Sequence, residues 1–292
     1  MPVITSKSFL TSHNFCSLCN IVACQAFISQ NKFVASANVP DITSKSPLAH
    51  QHDNSLVKRQ SSPQTTVSRP TISIGKAASE FIKISMVQIA GYPPKDIPIN
   101  GQINLFGGLF YGTNSSQGDT IQTVIEGYGS AKLWRTCRAY PGQWCIRSHA
   151  IHGCCLFQAS PDSAIINHDD QVLIEYEKAD GLGGMWTQSL WNLGPKGVDK
   201  KELWKFTKGN APTKLLSIRT ETDGGVRGSA DIQNYLNITM TMATEEPKLA
   251  ATLVKKGNVH VDNMTTADGG RTWVIREIAI LPMLEGQAFS PD

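Results

Sequence analysis

Beyond residue 70 the chain alternates apolar and polar positions in short runs, each closed by Gly, Pro, Asn or Asp. The runs are TISIG, FIKISMVQIAG, GQINLFGGLFYG, DTIQTVIEGYG, QVLIEYEK, MWTQSLWNL, ELWKFT, KLLSIRTET, YLNITMTMA, NVHVDNM and RTWVIREIAIL. Period-two alternation rich in β-branched and aromatic residues, bounded by turn formers, is the mark of a strand. Only GKAASEFIK and TEEPKLAATLVKK read as short helices. Many short strands with few helices predict one all-β domain over residues 71–292, a β-sandwich of jelly-roll-like form.

Three Asp-Gly turns suggest an alternative. Asp180, Asp223 and Asp268 stand in KADGLGGMW, TETDGGVRG and TTADGGRTW, at intervals close to the 40–50 residues of a propeller blade. A five-bladed β-propeller is therefore the second expectation. The flanking sequences do not align beyond the turns, and the plain reading of each turn is a connector in which Gly supplies a positive φ.

Alternation also assigns faces. Val172, Ile174 and Tyr176 oppose Leu173, Glu175 and Glu177. Trp186, Gln188, Leu190 and Asn192 oppose Thr187, Ser189 and Trp191. Leu216, Ile218 and Thr220 oppose Leu215, Ser217, Arg219 and Glu221. Leu236, Ile238, Met240 and Met242 oppose Tyr235, Asn237, Thr239 and Thr241. If these strands share a sheet, one side carries Glu175, Glu177, Arg219, Glu221 and Tyr235, with Gln188 and Trp186 beside them. That side is either a solvated face or the floor of a groove.

Residues 1–70 differ in kind. They hold no Gly, Trp or Tyr and are rich in Ser, Thr, Asn and Gln. Such a segment buries too little apolar surface to offset its chain entropy, and it reads as a disordered leader. Within it, Lys7, the apolar patch CSLCNIVACQAFI and the small-residue triplet Ala35–Ala37 follow in the order of a signal peptide. The dibasic pair Lys58-Arg59 has the form of a propeptide processing site. Together they predict secretion or passage through the secretory pathway, with a cytoplasmic protein as the alternative.

The formal charge of +3 is concentrated in this leader, where six basic residues face two acidic ones. The body carries 21 basic and 22 acidic residues and no basic stripe interleaved with aromatics, so nucleic acid is not an expected partner. No apolar run is long enough to span a membrane. Three N-x-Ser/Thr sequons, at Asn114, Asn237 and Asn263, are compatible with glycosylation.

Cys137, Cys145, Cys154 and Cys155 suit two disulfides in an oxidising compartment, and the sequence leaves their pairing open. His149, His152, Cys154 and Cys155 in WCIRSHAIHGCC are suitable zinc or copper ligands. On a strand, however, residues i and i+3 point to opposite faces, so no metal site is expected.

The succession QVLIEYE…WTQSLWN, TETDGG, YLNITMTM and TTADGGRTWVIREIAIL resembles the closing half of fungal concanavalin-like β-sandwich proteins, over residues 165–282. The resemblance implies an all-β fold and transfers no site residues.

No G-x-S-x-G, Walker, Rossmann or HExxH motif occurs, and no cofactor is expected. The catalytic candidates are Glu175, Glu177, Arg219, Glu221 and His168; a Glu beside an apolar wall can donate or accept a proton near neutrality. Trp186, Gln188, Trp191, Tyr235 and Trp273 are the candidate ligand contacts. The leading expectation is an enzyme-like protein that binds a small, largely apolar organic molecule and promotes cyclisation, elimination or isomerisation, as a cofactor-free cyclase of Diels–Alder type does. The alternative is a secreted protein that binds or cleaves glycans, with Trp stacking on sugar rings and paired carboxylates as acid and base.

Overall fold

A computed structural model describes residues 65–67, 69–94, 97–99, 101–110, 120–129, 137–140, 142–152, 156–159, 163–179, 185–208, 214–223, 226, 230–282 and 287–289. The chain divides into two compact units, Met1–Arg59 and Gln60–Asp292, and all of these residues lie in the second. That unit takes in Thr65–Val67 and Arg69-Pro70, which the composition had grouped with the leader.

The second unit is all-β, built from two antiparallel sheets packed as a sandwich. Its strands are β1 (Thr65–Val67), β2 (Thr71–Gly75), β3 (Phe81–Ala90), β4 (Gln102–Phe110), β5 (Thr120–Tyr128), β6 (Gln143–His152), β7 (Leu156–Ala159), β8 (Ala164–Asn167) and β9 (Gln171–Lys178). There follow β10 (Trp186–Asn192), β11 (Lys201–Lys208), β12 (Leu215–Asp223), β13 (Gln233–Met242), β14 (Val254–Lys256), β15 (Val259–Val261), β16 (Met264–Thr265), β17 (Thr272–Ile280) and β18 (Gln287–Phe289). Sheet I runs β11-β10-β9-β3-β13-β17-β15, with β16 also on β17. Sheet II runs β14-β2-β12-β4-β5-β6-β7, with β8 also on β6. β1 and β18 form a separate parallel pair.

This arrangement corrects the propeller alternative: the described strands form two stacked sheets with no closure into blades. The Asp268 turn is the hairpin joining β16 to β17. Asp268 accepts the Thr272 amide at 2.7 Å and the Thr266 hydroxyl at 3.0 Å, while Gly269 and Gly270 take φ of 71° and 100°. Asp180 and the glycines after Asp223 lie outside the described residues. Neither helix candidate forms: Phe81 opens β3, and Leu249–Thr252 make one 3-10 turn before β14. No helix among the described residues is long and apolar enough to cross a membrane.

The core lies between the sheets. Ile84, Met86, Ile174, Trp186, Leu190, Met240 and Ile275 of sheet I meet Ile72, Leu105, Ile121, Trp144, Ile146 and Ile218 of sheet II. Each fully buried large apolar side chain contributes about 1.5–3 kcal/mol. Polar groups stitch the layers at fixed points. Tyr176 donates its hydroxyl to the Gly107 carbonyl at 2.7 Å and meets the Thr123 hydroxyl at 2.9 Å. Gln188 donates to Thr123 at 2.5 Å, Gln88 to the Tyr235 hydroxyl at 2.9 Å, and Trp204 to Ser148 at 2.8 Å. Buried hydroxyls and amides persist only when they find such partners.

One face assignment changes. Tyr235 points inward with Ile238, Met240 and Met242, not against them. Asn237 adopts φ of 53° and the register against β3 slips between Leu236 and Thr239. The extra residue of this bulge reverses the side-chain phase partway along β13.

Candidate functional site

The residues expected to share one side do not. β9, β10 and β13 belong to sheet I, whereas β12 pairs with β2 and β4 in sheet II. Alternation fixes the faces of a strand but carries no information about its neighbours. Glu175 and Glu177 lie on the outer face of sheet I, where exposed Glu177 sits 3.6 Å from half-buried Lys83. Trp191 is on the same outer face, with the Lys200 ammonium 4.9 Å from its ring centre.

Trp186, Gln188 and Tyr235 are sealed between the sheets, so their expected contact with a ligand is corrected to core packing. Trp273 is also core, its indole N–H shared between the carbonyls of Gly270 at 3.1 Å and Glu246 at 3.2 Å. Burial of the large apolar ring is the stronger demand in each case. His168 stands in the turn before β9, stacked on Tyr92 at 3.6 Å and 3.7 Å from Asp169. Among the described residues its contacts are thus to Tyr92 and Asp169, not to the carboxylates of β9 or β12.

Arg219 and Glu221 belong to a different and richer surface, the outer face of sheet II. Register aligns its side chains in rows across β12, β4, β5 and β6. One row reads Glu221, Asn104, Glu126, Cys145; the next Arg219, Phe106, Val124, Arg147; the third Ser217, Gly108, Gln122, His149. An outer face is ordinarily solvated, yet this one is enclosed. Gln122 is 4 % exposed and Glu126 6 %, with Asn104, Phe106, Val124 and Ser217 similarly buried. Phe106, Val124 and Phe110 are buried without joining the core between the sheets.

The sheet closes up at Gly108. A Cβ there would meet the Gln122 Cβ and the Ile121 carbonyl oxygen at 2.5 Å, far inside the usual spacing of opposed side chains. Glycine at this point lets β4 and β5 approach closely and leaves the third row without a side chain at its centre.

The electrostatics are arranged in two pairs. The Glu221 carboxylate lies 3.0 Å from Arg219 and 3.1 Å from Arg69. The Arg219 guanidinium also stacks over Phe106 and Phe110, at 5.0 and 5.1 Å. Burial draws the pKa of Arg219 below its usual value, an effect that Glu221 opposes. Glu126 is paired with Arg147 at 3.1 Å and hydrogen-bonded to Tyr128. Burial, reinforced by the Glu126 charge, pushes the Tyr128 phenol above its ordinary range. Between and beside these pairs, the Asn104 Oδ1 and Gln122 Oε1 acceptors have no hydrogen-bond partner among the described residues. A buried acceptor left unpaired costs about 1–3 kcal/mol, so each is a place where a water or ligand donor belongs.

Asn104, Gln122, Glu126, Tyr128 and Arg147 escaped the sequence reading. Their signal was present: in INLFGGLF and TIQTVIEGY, the Asn-Phe-Gly-Phe and Gln-Val-Glu-Tyr phases oppose phases that are apolar or glycine except for Thr123. WCIRSHAIH lies within strand β6, which turns Cys145, Arg147 and His149 onto this face. Cys137 and Cys145 form a disulfide; Cys154 and Cys155 lie outside the described residues. Among the described residues no group of three His, Cys, Asp or Glu is placed to hold a metal ion.

No protein-family model matches the sequence, and no curated protein matches it. Among solved structures, the chain is similar to scytalido-glutamic peptidase with a transition state analog inhibitor, at 13 % identity over 72 % of this chain and 98 % of that one, with a TM-score of 0.42. A second structure of that peptidase, with a peptide-based transition state analog, gives the same identity and coverage and a TM-score of 0.38. SCP-B, a member of the Eqolisin family of peptidases, in complex with the tripeptide Ala-Ile-His, matches at 13 % identity and the same coverage, with a TM-score of 0.39. These likenesses assign no residue and no activity to this chain.

Proposed function

We propose that the outer face of sheet II is a proton-transfer site for a small organic molecule with an apolar body and hydrogen-bonding groups, promoting elimination, isomerisation or cyclisation with side chains alone. The observation that carries this reading is the enclosed row Glu221–Asn104–Glu126 above an apolar floor of Phe106 and Val124. A ligand pocket of this class is mostly apolar with a few convergent polar groups. In it, Glu126 takes a proton from an acidic C–H or O–H. The Asn104 and Gln122 carbonyl oxygens accept hydrogen bonds from the substrate. The Arg219–Glu221–Arg69 cluster supplies fixed charges that need no reorganisation as the substrate's charge shifts.

The test is deuterium exchange. A panel of β-dicarbonyl and β-hydroxycarbonyl compounds is incubated with the protein in D2O and followed by NMR. Accelerated exchange at the α-carbon, lost in Glu126→Gln, is the expected result. Absence of acceleration with every compound overturns the reading.

The glycan alternative retains one specific support. Glu126 and Glu221 face the same way with one strand between them, a Cα separation of about 10 Å from two strand spacings. Two carboxylates on one face are what glycoside cleavage uses. Release of reducing sugar from oligosaccharides, abolished in Glu126→Gln and Glu221→Gln alike, favours that reading.

A further inference from the structure

We propose that Tyr128 is the positioning residue for Glu126, seated in place by the Cys137–Cys145 disulfide. The proposal rests on the reading of Glu126 as the proton-transfer group. Glu126 and Tyr128 are two residues apart on β5, so both side chains rise from the same enclosed face. The phenol is hydrogen-bonded to the Glu126 carboxylate, while Arg147 approaches Glu126 Oε2 at 3.1 Å from the neighbouring strand. The carboxylate thus has one hydrogen-bond partner on its own strand and one ion-pair partner on the next.

The phenol itself is clamped. Tyr128, Ala139 and Cys145 form a small buried cluster apart from the main core, with Cys137 packed against it. Cys145 stands directly opposite Glu126 across the β5–β6 pair. Its bond to Cys137, eight residues earlier, ties the segment 137–140 down beside the Tyr128 ring. A ring with only two side-chain torsions, walled in this way, presents its hydroxyl to one place.

The phenol also remains a donor, because burial and the adjacent carboxylate hold its pKa above the ordinary tyrosine range. Among the described residues, further groups on this face lie around Glu126. Arg147 comes from β6, and uncharged Asn104 from β4. Glu221 on β12 is compensated by Arg219 and Arg69, and Cys145 does not titrate as a disulfide.

The test follows the Glu126 carboxyl carbon by NMR in protein labelled at glutamate Cδ. Loss of a hydrogen bond donated to a carboxylate favours its protonated form. Tyr128→Phe keeps the ring and removes the hydroxyl, so the Glu126 titration midpoint is expected to rise by about one pH unit. An unchanged midpoint in folded Tyr128→Phe overturns the proposal. A second measurement needs no substitution: in wild type, the Glu126 carboxyl signal is expected to show an isotope shift between H2O and D2O that Tyr128→Phe lacks. An equal isotope shift in both proteins likewise overturns it. Neither readout depends on catalysis, so failure of the exchange assay leaves the Tyr128 contact separately tested.

Discussion

The two sheets have outer faces built by the same alternation, yet the faces differ in every physical respect. On sheet I, Glu177 and Lys83 stand in solvent 3.6 Å apart, and Trp191 lies under a lysine. On sheet II, Glu126 and Arg147 stand 3.1 Å apart with the carboxylate side chain only 8 % exposed, and the neighbouring positions are Phe106, Val124 and Gln122. A polar residue at every second position therefore marks a face that avoids the core, not one that meets water. On sheet II's outer face Glu126 is almost wholly withdrawn from solvent, and a charge so placed needs its partner. On sheet I no such demand exists.

That difference is sharpest in the ion pairs. Removing one member of a buried pair leaves the other charge uncompensated, at a cost of about 3–5 kcal/mol. Arg147→Met is accordingly expected to lower stability by about 3 kcal/mol or more, measured by urea unfolding at neutral pH. A change under about 1 kcal/mol would mean that Glu126 is effectively solvated and that the two faces are alike.

Between the faces lies the polar seam, where the expected effect is smaller. Thr123→Val removes the hydroxyl that links Tyr176 and Gln188 while keeping the side-chain shape. One or two buried groups lose a partner, which costs about 1–3 kcal/mol. Unfolding midpoints should fall accordingly. Because Tyr176 also anchors the Gly107 carbonyl, beside Gly108 and the floor of the site, the Gln122 side-chain amide resonances should shift in this variant too. Unmoved resonances would show that the seam holds the sheets together without shaping the outer face of sheet II.

The fold class was legible because it depends on local pattern. Every run quoted as a strand contributes one, and the inward phases of β9, β10 and β12 are those read from Val172, Trp186 and Leu216. The candidate site was legible only in Arg219 and Glu221. Their true companions, Asn104, Phe106, Gln122 and Glu126, come from β4 and β5, far earlier in the chain, and pairing across such distances leaves no local trace. Tyr235 failed for another reason: a single bulged residue at Asn237 inverted the phase of Tyr235 and Leu236, while the phase assigned from Ile238 onward was correct. The tryptophans failed because a large ring that can line a pocket is equally able to fill a core, and Trp186 fills it.

On the exposed side, the Lys83–Glu177 pair is expected to matter little. Lys83→Met should change stability by less than about 0.5 kcal/mol in urea unfolding, since both partners are well hydrated. A loss comparable to that of Arg147→Met would erase the distinction between the faces.

The smallest effect is expected at the surface group around β17, and it appears only as a dependence on pH. Arg276 donates to Asp262 at 2.8 Å, and His260 lies 3.2 Å from its other oxygen. The Arg276 hydrogen bond first, and the His260 contact second, hold the Asp262 carboxyl below the usual aspartate range. A carboxyl whose native pKa is depressed contributes stability that is fully present above its unfolded value, near 3.9, and is lost as pH falls through the lower native value. The stability difference between wild type and Asp262→Asn should therefore be constant above about pH 5 and decline steadily below about pH 4. Repeating the series at high salt separates the faces once more. The Asp262 contribution should shrink with screening, whereas that of the Glu126–Arg147 pair, sheltered from solvent, should hardly move. Equal salt sensitivity at both sites would place Glu126 in contact with bulk water.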